Sequence, residues 1–594
     1  MPKQTYSSVP LATADSLRAS AQRARRIGHL KGRQASEQAL AEVRGLIGSA
    51  PPDGHRRDLL IEHLHVLNDH YRALFERHLV GLAAEMKLPM VEVFEVASFY
   101  HHFLILPDDQ TAPVVTVRVC DGLSCAMAGA NALLRQLPGR LADGVRVLPA
   151  PCIGRCEQAP AALVGQQAVP HATAPLIQNA VQQALSEIAD FPGVFKKDEP
   201  LEQVNKAQEA INFVSYQAYR AAGGYALAAA LVNGEEDVGQ VLRVVEDAGL
   251  RGLGGAGFAT GRKWRIVREQ AAPRLLAVNL DEGEPGTFKD RTYLERDPHR
   301  FLEGMLVAAQ VVGTEACVIY LRDEYHAARA MLMRELAALQ ADPPCPLPQI
   351  ELRRGAGAYI CGEESAMIES IEGKRGQPRL RPPYVAEVGL FGRPSLVQNF
   401  ETLYWVRDIV EKGPQWLSTQ GRQGRSGLRS FSVSGRVAHP GVWQAPAGIS
   451  VRELIDDYCG GMLPGHTLYA YLPGGASGGI LPASLSHLPL DFDTLQPHGC
   501  FIGSAAVVVL SQLDRARDAA HNAMQFFAHE SCGQCTPCRV GTVKAAALMQ
   551  APVWDSATLH DLAQVMGDAS ICGLGQAAPN PMLSVLRYFA HEVS

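Results

Sequence analysis

The sequence predicts a multidomain chain of α/β and α+β units that ends in a helical segment holding a metal cluster. Three observations predict it. At 594 residues the chain exceeds what one hydrophobic core serves, so about three to five domains are expected. Helical and strand-like apolar periodicities alternate through its middle, the pattern of a parallel sheet covered by helices. Of the 13 cysteines, eight stand at ligand-like spacings, which in a long enzyme-like chain points to metal rather than to disulfides.

Composition narrows the class. A hydrophobic fraction of 47% with 20% charged residues is that of a globular protein, and a net charge of −6 leaves no electrostatic footprint for nucleic acid. No apolar run approaches bilayer length and no signal peptide opens the chain, so a cytoplasmic protein with no membrane span is expected.

Residues 1–50 carry Arg18, Arg23, Arg25, Arg26, Lys31 and Arg33 with almost no acid, which reads as a basic solvated arm. Residues 51–190 form the first domain. It begins with helical periodicity in RRDLLIEHLHVLNDHY, HLVGLAAEMKL and MVEVFEVASFYHHF. Strand-like VVTVRVC then runs into Cys120 and Cys125, and VRVLPAPC runs into Cys152 and Cys156. Two cysteine pairs just past strand ends bring four thiolates to one point. Zinc uses similar loops but favours two-residue spacers; the longer spacers here match a [2Fe–2S] site in a thioredoxin-like ferredoxin.

Residues 191–235 read as a linker with a few helical turns, and residues 236–425 as an α/β domain. The latter opens with RGLGGAGFATGRKW, where Gly252, Gly254, Gly255 and Gly257 allow close backbone approach to an anionic group. A dinucleotide-binding turn would need a preceding strand, but DVGQVLRVVEDAGL has helical spacing. The strand RLLAVNL follows and delivers Asn279, Asp281, Glu282 and Glu284 at its end, where open α/β sheets place ligands. Later, GAGAYICGEESAMIES offers Tyr359, Gly362, Glu363 and Glu364. Adjacent carboxylates diverge on a helix, so the plain reading of the acidic pair is helix capping.

Residues 426–510 turn strand-like again, with RSFSVSGRV, GVW, TLYAYLPGGASGGIL and CFIGSAAVVVL around a helix VRELIDDYCG. Residues 511–594 are helical and carry Cys532, Cys535 and Cys538 in ESCGQCTPCRVG. Three thiols in one loop cannot share a helix face. With Cys572 from ASICGLGQAAPNP as the fourth ligand they form a [4Fe–4S] pattern, where zinc would use two and two.

Taken together, GxGGxGF, TGxKW and DEGEPGTFKDR resemble the NADH-oxidising flavoprotein subunits of respiratory complex I, NAD-reducing hydrogenases and NAD-linked formate dehydrogenases. The first domain resembles the small ferredoxin subunit of the same complexes, and residues 426–510 resemble the ubiquitin-like domain that follows the flavin domain there. The resemblance implies FMN and NAD(H) stacked over the glycine loop, with Asn279, Asp281, Tyr359, Gly362, Glu363 and Glu364 lining the pocket. It implies Phe258 and Tyr384 near the adenine, Lys263 on a phosphate, Glu282 orienting the nicotinamide, and Asn399 and Thr402 at the FMN phosphate end. Two departures are Ala259, where proline is usual, and Gln398, where asparagine is common. The cofactors expected are FMN, NAD(H), one [2Fe–2S] and one [4Fe–4S] cluster. Hydride chemistry of this kind needs no nucleophile, and no convincing Ser-His-Asp or Cys-His set occurs despite 19 histidines.

The fusion of ferredoxin and flavoprotein, with RDLLIEHLH, GLRGLGGAGF, DPHRFLEG, PGGASGGILPAS, CFIGSAAVV and ESCGQCTPCR, most resembles the β subunit of NAD-dependent formate dehydrogenases. Their α subunit holds molybdenum or tungsten and its own iron–sulfur clusters, and that subunit is the expected partner. The alternatives are the diaphorase subunit of an NAD-reducing nickel–iron hydrogenase and, from another class, a non-catalytic iron–sulfur scaffold or redox sensor.

Overall fold

A computed structural model describes residues 32–190 and 211–594. Arg18, Arg23, Arg25, Arg26 and Lys31 of the expected arm, and the first 20 residues of the expected linker, lie outside the described residues. The last part of the arm is not solvated coil. Ser36 accepts a hydrogen bond from the Ala39 N–H at 3.1 Å and caps a helix, Glu37–Ile47, whose Ala39 and Val43 are buried.

Helices Leu60–Tyr71, Glu76–Met86 and Met90–Phe99 follow. Next comes a four-stranded sheet of Val115–Cys120 (β1), Val145–Ala150 (β2), Ala162–Val164 (β3) and Gln167–Val169 (β4) in the order β2-β1-β3-β4. The first pair is parallel and the other two antiparallel. Val115, Val117 and Val119 alternate inward on β1 and, with Leu133, Leu163 and Ile177, make a core that belongs to this sheet alone.

The second sheet is wholly parallel: Arg274–Leu280 (β5), Thr314–Leu321 (β6), Gln349–Arg354 (β7) and Ser395–Asn399 (β8), in the order β8-β5-β6-β7. Its central strands read as continuous apolar runs because both faces are covered. Leu276, Val278, Cys317, Ile319 and Leu396 face a core with helices Pro298–Val312 and His326–Ala341. Leu275, Ala277, Val318, Tyr320 and Val397 face another, filled by Leu60, Leu64, Leu79, Val93 and Val96 of the N-terminal helices and by Met367 and Ile368. The helical first half of the expected ferredoxin domain is therefore the second layer of the parallel sheet. Its connections are polar as well. The Tyr100 hydroxyl bonds Ser370 Oγ and the Lys374 carbonyl, each at 2.8 Å, and His65 bonds the Gly355 carbonyl at 2.8 Å.

The expected linker is also revised at its end. Helices Tyr216–Ala221 and Ala226–Asn233 bury Tyr216, Tyr219, Tyr225 and Leu231 in the first of those cores.

The third sheet comprises Leu428–Gly435 (β9), Gly441–Pro446 (β10), Leu468–Leu472 (β11), Leu481–Pro482 (β12) and Ala506–Ser511 (β13), ordered β10-β9-β13-β11-β12. Only the β9-β13 pairing is parallel. The expected strand CFIGSAAVVVL begins late, at Ala506, because residues 500–505 turn, with φ +58° at Ala505. Helices Ala516–Glu530, Thr536–Leu548, Ser556–Ala569 and Asn580–Tyr588 close the chain.

One contact holds the parallel sheet's front edge in place. Helix Pro298–Val312 crosses Phe400–Tyr404 so closely that a Cβ on Gly304 would lie 1.9 Å from the Leu403 carbonyl oxygen. Gly304→Ala should cost about 1–3 kcal/mol. It should lower the thermal unfolding midpoint and the flavin-to-protein ratio together, because Asn399 and Thr402 ride on the displaced turn. Unchanged values of both would contradict the contact.

Candidate functional site

Strands β6 and β7 step to one side of β5, and β8 returns to the other. The carboxyl ends of β5 and β8 thus flank the point where the topology reverses, and Asn279, next to last on β5, is the direct partner of Asn399, the last residue of β8. The glycine loop lies over this crevice. Helix Val238–Asp247, capped by Asp237, leads into it, and helix Thr260–Arg268 leads out. The loop is fixed from below by the end of β8 and the helix after it: the Leu253 N–H donates to Thr402 Oγ1 at 2.9 Å, and a Cβ on Gly254 would lie 3.1 Å from Asn399 Cβ. Gly257 sits at φ +65° with room for no side chain, since a Cβ there would lie 2.6 Å from the Phe492 ring of the third sheet's domain.

Asn399 caps its own helix. Its Oδ1 accepts from the Thr402 N–H at 3.2 Å and its Nδ2 donates to Asp290 Oδ2 at 2.8 Å. Across the crevice, Asn279 Nδ2 donates to the Gly362 carbonyl at 2.8 Å and ties β5 to the segment that carries the acidic pair. Glu363 is a helix N-cap, accepting from the N–H groups of Ser365 and Ala366 at 3.0 and 2.9 Å. Glu364 instead turns to Lys263, whose Nζ lies 3.2 Å from its Oε2, and to Arg381 at 3.0 Å. The structure thus gathers Gly252 to Gly257, Lys263, Asn279, Asp281, Gly362, Glu363, Glu364, Asn399 and Thr402 around one crevice. Phe258 and Tyr384 are both exposed, at 46% and 55%, Phe258 with the Arg262 guanidinium 5.8 Å from its ring centroid.

Two expected residues are held by partners within the protein. Glu282, expected to orient the nicotinamide, lies buried just past the end of β5. Its carboxylate accepts the N–H groups of Asp290 and Arg291 at 2.8 and 3.1 Å and the Tyr325 hydroxyl at 3.0 Å, capping helix Lys289–Arg296. Burial, with Asp290 close by, pushes it up to about 7. The Tyr359 ring is anchored too. Its hydroxyl donates to Glu284, whose other oxygen takes the Ser477 N–H at 2.8 Å, and its backbone N–H donates to Glu530 at 2.9 Å. Gln398 spends its amide oxygen on the buried Trp264 N–H at 3.3 Å.

Sequence reasoning passed over the charges beneath the loop. Lys289, Asp290 and Glu401 are fully enclosed, with Lys289 Nζ at 2.6 Å from Asp290 and 3.0 Å from Glu401. The two carboxylates outweigh the burial penalty and hold the ammonium above its ordinary range. KDRTYLER reads locally as a solvated helix, so no local signal distinguishes this cluster.

The residues fit the groups that the spacing implies. Cys120, Cys125, Cys152 and Cys156 are buried and line a single cavity, with the Cys152 and Cys156 sulfurs 3.3 Å apart. The neighbouring thiols of Cys120 and Cys156, and after them the Arg322 guanidinium, hold Cys152 far below the usual thiol range. In the C-terminal segment Cys538 feels Cys535 and Cys532, and Cys572 feels Cys532; burial pushes Cys572 up to about 12. A Cβ on Gly575 would strike Cys538, so the fourth-ligand loop packs tightly against the first three. These are sets of soft donors suited to iron–sulfur clusters. In the crevice, the bare backbone at residues 252–257 and the partnerless Asp281 Oδ2 suit a polar occupant.

Four family models match: thioredoxin-like [2Fe-2S] ferredoxin over residues 45–185, Nuo51 FMN-binding domain over 245–408, SLBB domain over 430–481, and NADH-ubiquinone oxidoreductase-F iron-sulfur binding region over 518–594. The second F-type subunit of the NADH-quinone oxidoreductase of Rhizobium meliloti (strain 1021) is 41% identical over 391 residues, covering 63% of this chain and 92% of its own. Its counterpart from Rickettsia felis is 38% identical, covering 59% and 87%. Among solved structures, a chain of an NAD+-reducing [NiFe]-hydrogenase in the H2-reduced state superposes with a TM-score of 0.75 at 33% identity, covering 91% of this chain and 93% of its own.

Asp281 gives the crevice a pH signature. Burial pushes its carboxyl up to about 8. A carboxyl raised above its unfolded value of about 4 favours the fold while protonated, and that contribution is lost as pH rises through the interval. The thermal midpoint of the flavin-free chain should therefore fall between about pH 5 and 8, and Asp281→Asn should flatten that fall. An equal slope in both proteins would rule out the assignment.

Proposed function

Because the chain belongs to the family of NADH-oxidising flavoprotein subunits represented by the F-type subunit of NADH-quinone oxidoreductase and the diaphorase subunit of NAD-reducing hydrogenase, we propose that it is the NAD-linked subunit of a formate dehydrogenase. It is an NADH oxidoreductase subunit of a multi-subunit complex, with FMN-binding, [2Fe–2S] and [4Fe–4S] domains. In the role proposed, it exchanges electrons with a molybdenum- or tungsten-containing subunit that oxidises formate, NAD⁺ being the acceptor. FMN, when bound, converts two-electron hydride chemistry into one-electron transfer.

One observation carries the electron-exchange reading: the crevice is hydrogen-bonded to both thiol sets. Arg322 donates to the Glu282 carbonyl and to the Cys152 carbonyl, each at 2.6 Å, so one guanidinium spans the strand end and the first thiol loop. On the other side the Tyr359 N–H meets Glu530, two residues before Cys532. What favours formate is the set of sequence phrases shared with formate dehydrogenase β subunits. What favours hydrogen as the donor instead is the match to the hydrogenase chain across 91% of this one.

Within the crevice, Lys263 is the cation that faces a phosphate of NADH, held ready by Glu364. Phe258 and Tyr384 are the exposed aromatic surfaces for the adenine, and Asn399 and Thr402 set the loop whose N–H groups meet the FMN phosphate. Lys263→Ala should raise the KM for NADH about tenfold, a loss of about 1.4 kcal/mol, with FMN content and kcat for ferricyanide reduction nearly unchanged. Loss of FMN would overturn the assignment. Copurification with elemental analysis should find molybdenum or tungsten in the partner; nickel would decide for the hydrogenase reading.

A further inference from the structure

Where the N-terminal helices meet the last helical segment, a group of side chains stands apart from both thiol sets. His101 follows helix Met90–Phe99, and His529 and Glu530 end helix Ala516–Glu530. The two imidazoles lie face to face with centroids 4.1 Å apart and planes at 29°. His529 Nδ1 is 3.2 Å from Glu530 Oε1, His101 Nε2 is 3.8 Å from Glu530 Oε2, and the three ligand atoms lie within 4.8 Å of one another. Glu530 is buried, and the Tyr359 N–H holds its Oε2 in place at 2.9 Å. Such an outer bond fixes a carboxylate ligand in position. The imidazoles are exposed, and all three residues border a cavity that also reaches Cys152, Arg322 and Tyr359.

We propose that His101, His529 and Glu530 form a zinc site that clamps the loop carrying Cys532 to the N-terminal helices. Two imidazole nitrogens and a carboxylate oxygen are the donor set of a zinc ion with an open fourth position, and the exposed rings turn out of their stack to set each ring plane toward the ion. The softer thiols nearby suit iron–sulfur clusters, and the imidazole and carboxylate donors suit zinc, so the sites are chemically separable. The ligands come from chain segments more than four hundred residues apart. One ion would therefore join the layer under the parallel sheet to the segment that enters the second thiol loop, and the cluster loop would lose freedom to open.

The test uses the full chain with flavin and both clusters in place, held without oxygen. Equilibrium dialysis against zinc sulfate, with zinc, iron and flavin measured together, should give one tightly held zinc per flavin. His101→Ala and His529→Ala should each weaken it by at least about tenfold while iron and flavin stay at wild-type levels. Zinc K-edge absorption of the wild type should show imidazole and oxygen scattering without sulfur. Zinc uptake equal in the wild type and both variants, no uptake, or a shell containing sulfur or lacking imidazole would each overturn the proposal. Should a variant fail to retain its iron, the wild-type absorption edge alone decides between these outcomes. None of these readings depends on the electron donor, so a failure here leaves the formate assignment untouched.

Discussion

The structure turns on one strand pairing, the parallel register of Ser395–Asn399 against Arg274–Leu280. Because side chains alternate along a strand, a slip of one residue would exchange the faces of β8 and send Leu396 and Val397 into the wrong cores. It would also part Asn279 from Asn399, and with them the two anchors of the crevice. Asn279 reaches the Gly362 carbonyl and Asn399 supports the turn whose Thr402 holds the Leu253 N–H. The glycine loop is closed by its own bonds, Gly252 N–H to the Phe258 carbonyl at 2.8 Å among them, and is positioned by a strand end and turn more than a hundred residues away in sequence.

Enclosing Lys289, Asp290 and Glu401 under that loop is costly in isolation, since each charge loses its hydration. The arrangement holds because the charges satisfy one another and because Asn399 Nδ2 gives Asp290 a further donor. Removing any one partner would leave a buried charge uncompensated, a larger loss than the cluster's net contribution. This makes the cluster a poor source of stability. The same network that fixes the crevice floor also fixes where Asn399 can stand.

Much of this was legible in the sequence, and the limits follow from physics. The parallel sheet announced itself through RLLAVNL, because a strand buried on both faces has no polar alternation to obscure it. The thiol sets were legible because ligand spacing survives without knowledge of the fold. The missing strand before the glycines was read correctly from the helical spacing of DVGQVLRVVEDAGL, and the capping reading of Glu363 from its place at a helix start. What the sequence hid was long-range partnership. The helices at 60–99 fall within the ferredoxin match, and only tertiary structure reveals that their apolar stripes also cover the parallel sheet. Glu282 stood where ligands gather, but nothing local shows that the helix eight residues on would take its carboxylate. KDRTYLER is polar enough for a surface, and its burial is set entirely by what packs around it.

The same reasoning explains why one chain suits this architecture. Beside the sheet of Val115–Cys120, the loop from Cys152 to Cys156 is braced by side chains from outside that sheet's core. Arg291 reaches the Gly154 carbonyl at 3.0 Å, Arg322 reaches Cys152, and a Cβ on Gly154 would strike the Tyr325 hydroxyl. Each brace comes from the segment that also builds the crevice: Tyr325 bonds Glu282, and Arg291 lends its N–H to the same carboxylate. A displacement of the first thiol loop therefore pulls on Glu282, on the start of helix Lys289–Arg296, and through Asp290 on Asn399. Rigid coupling of this kind fixes the separation between crevice and thiols more tightly than a docked surface of mobile side chains would. Electron transfer needs a fixed separation more than it needs any one side chain at the reacting atoms.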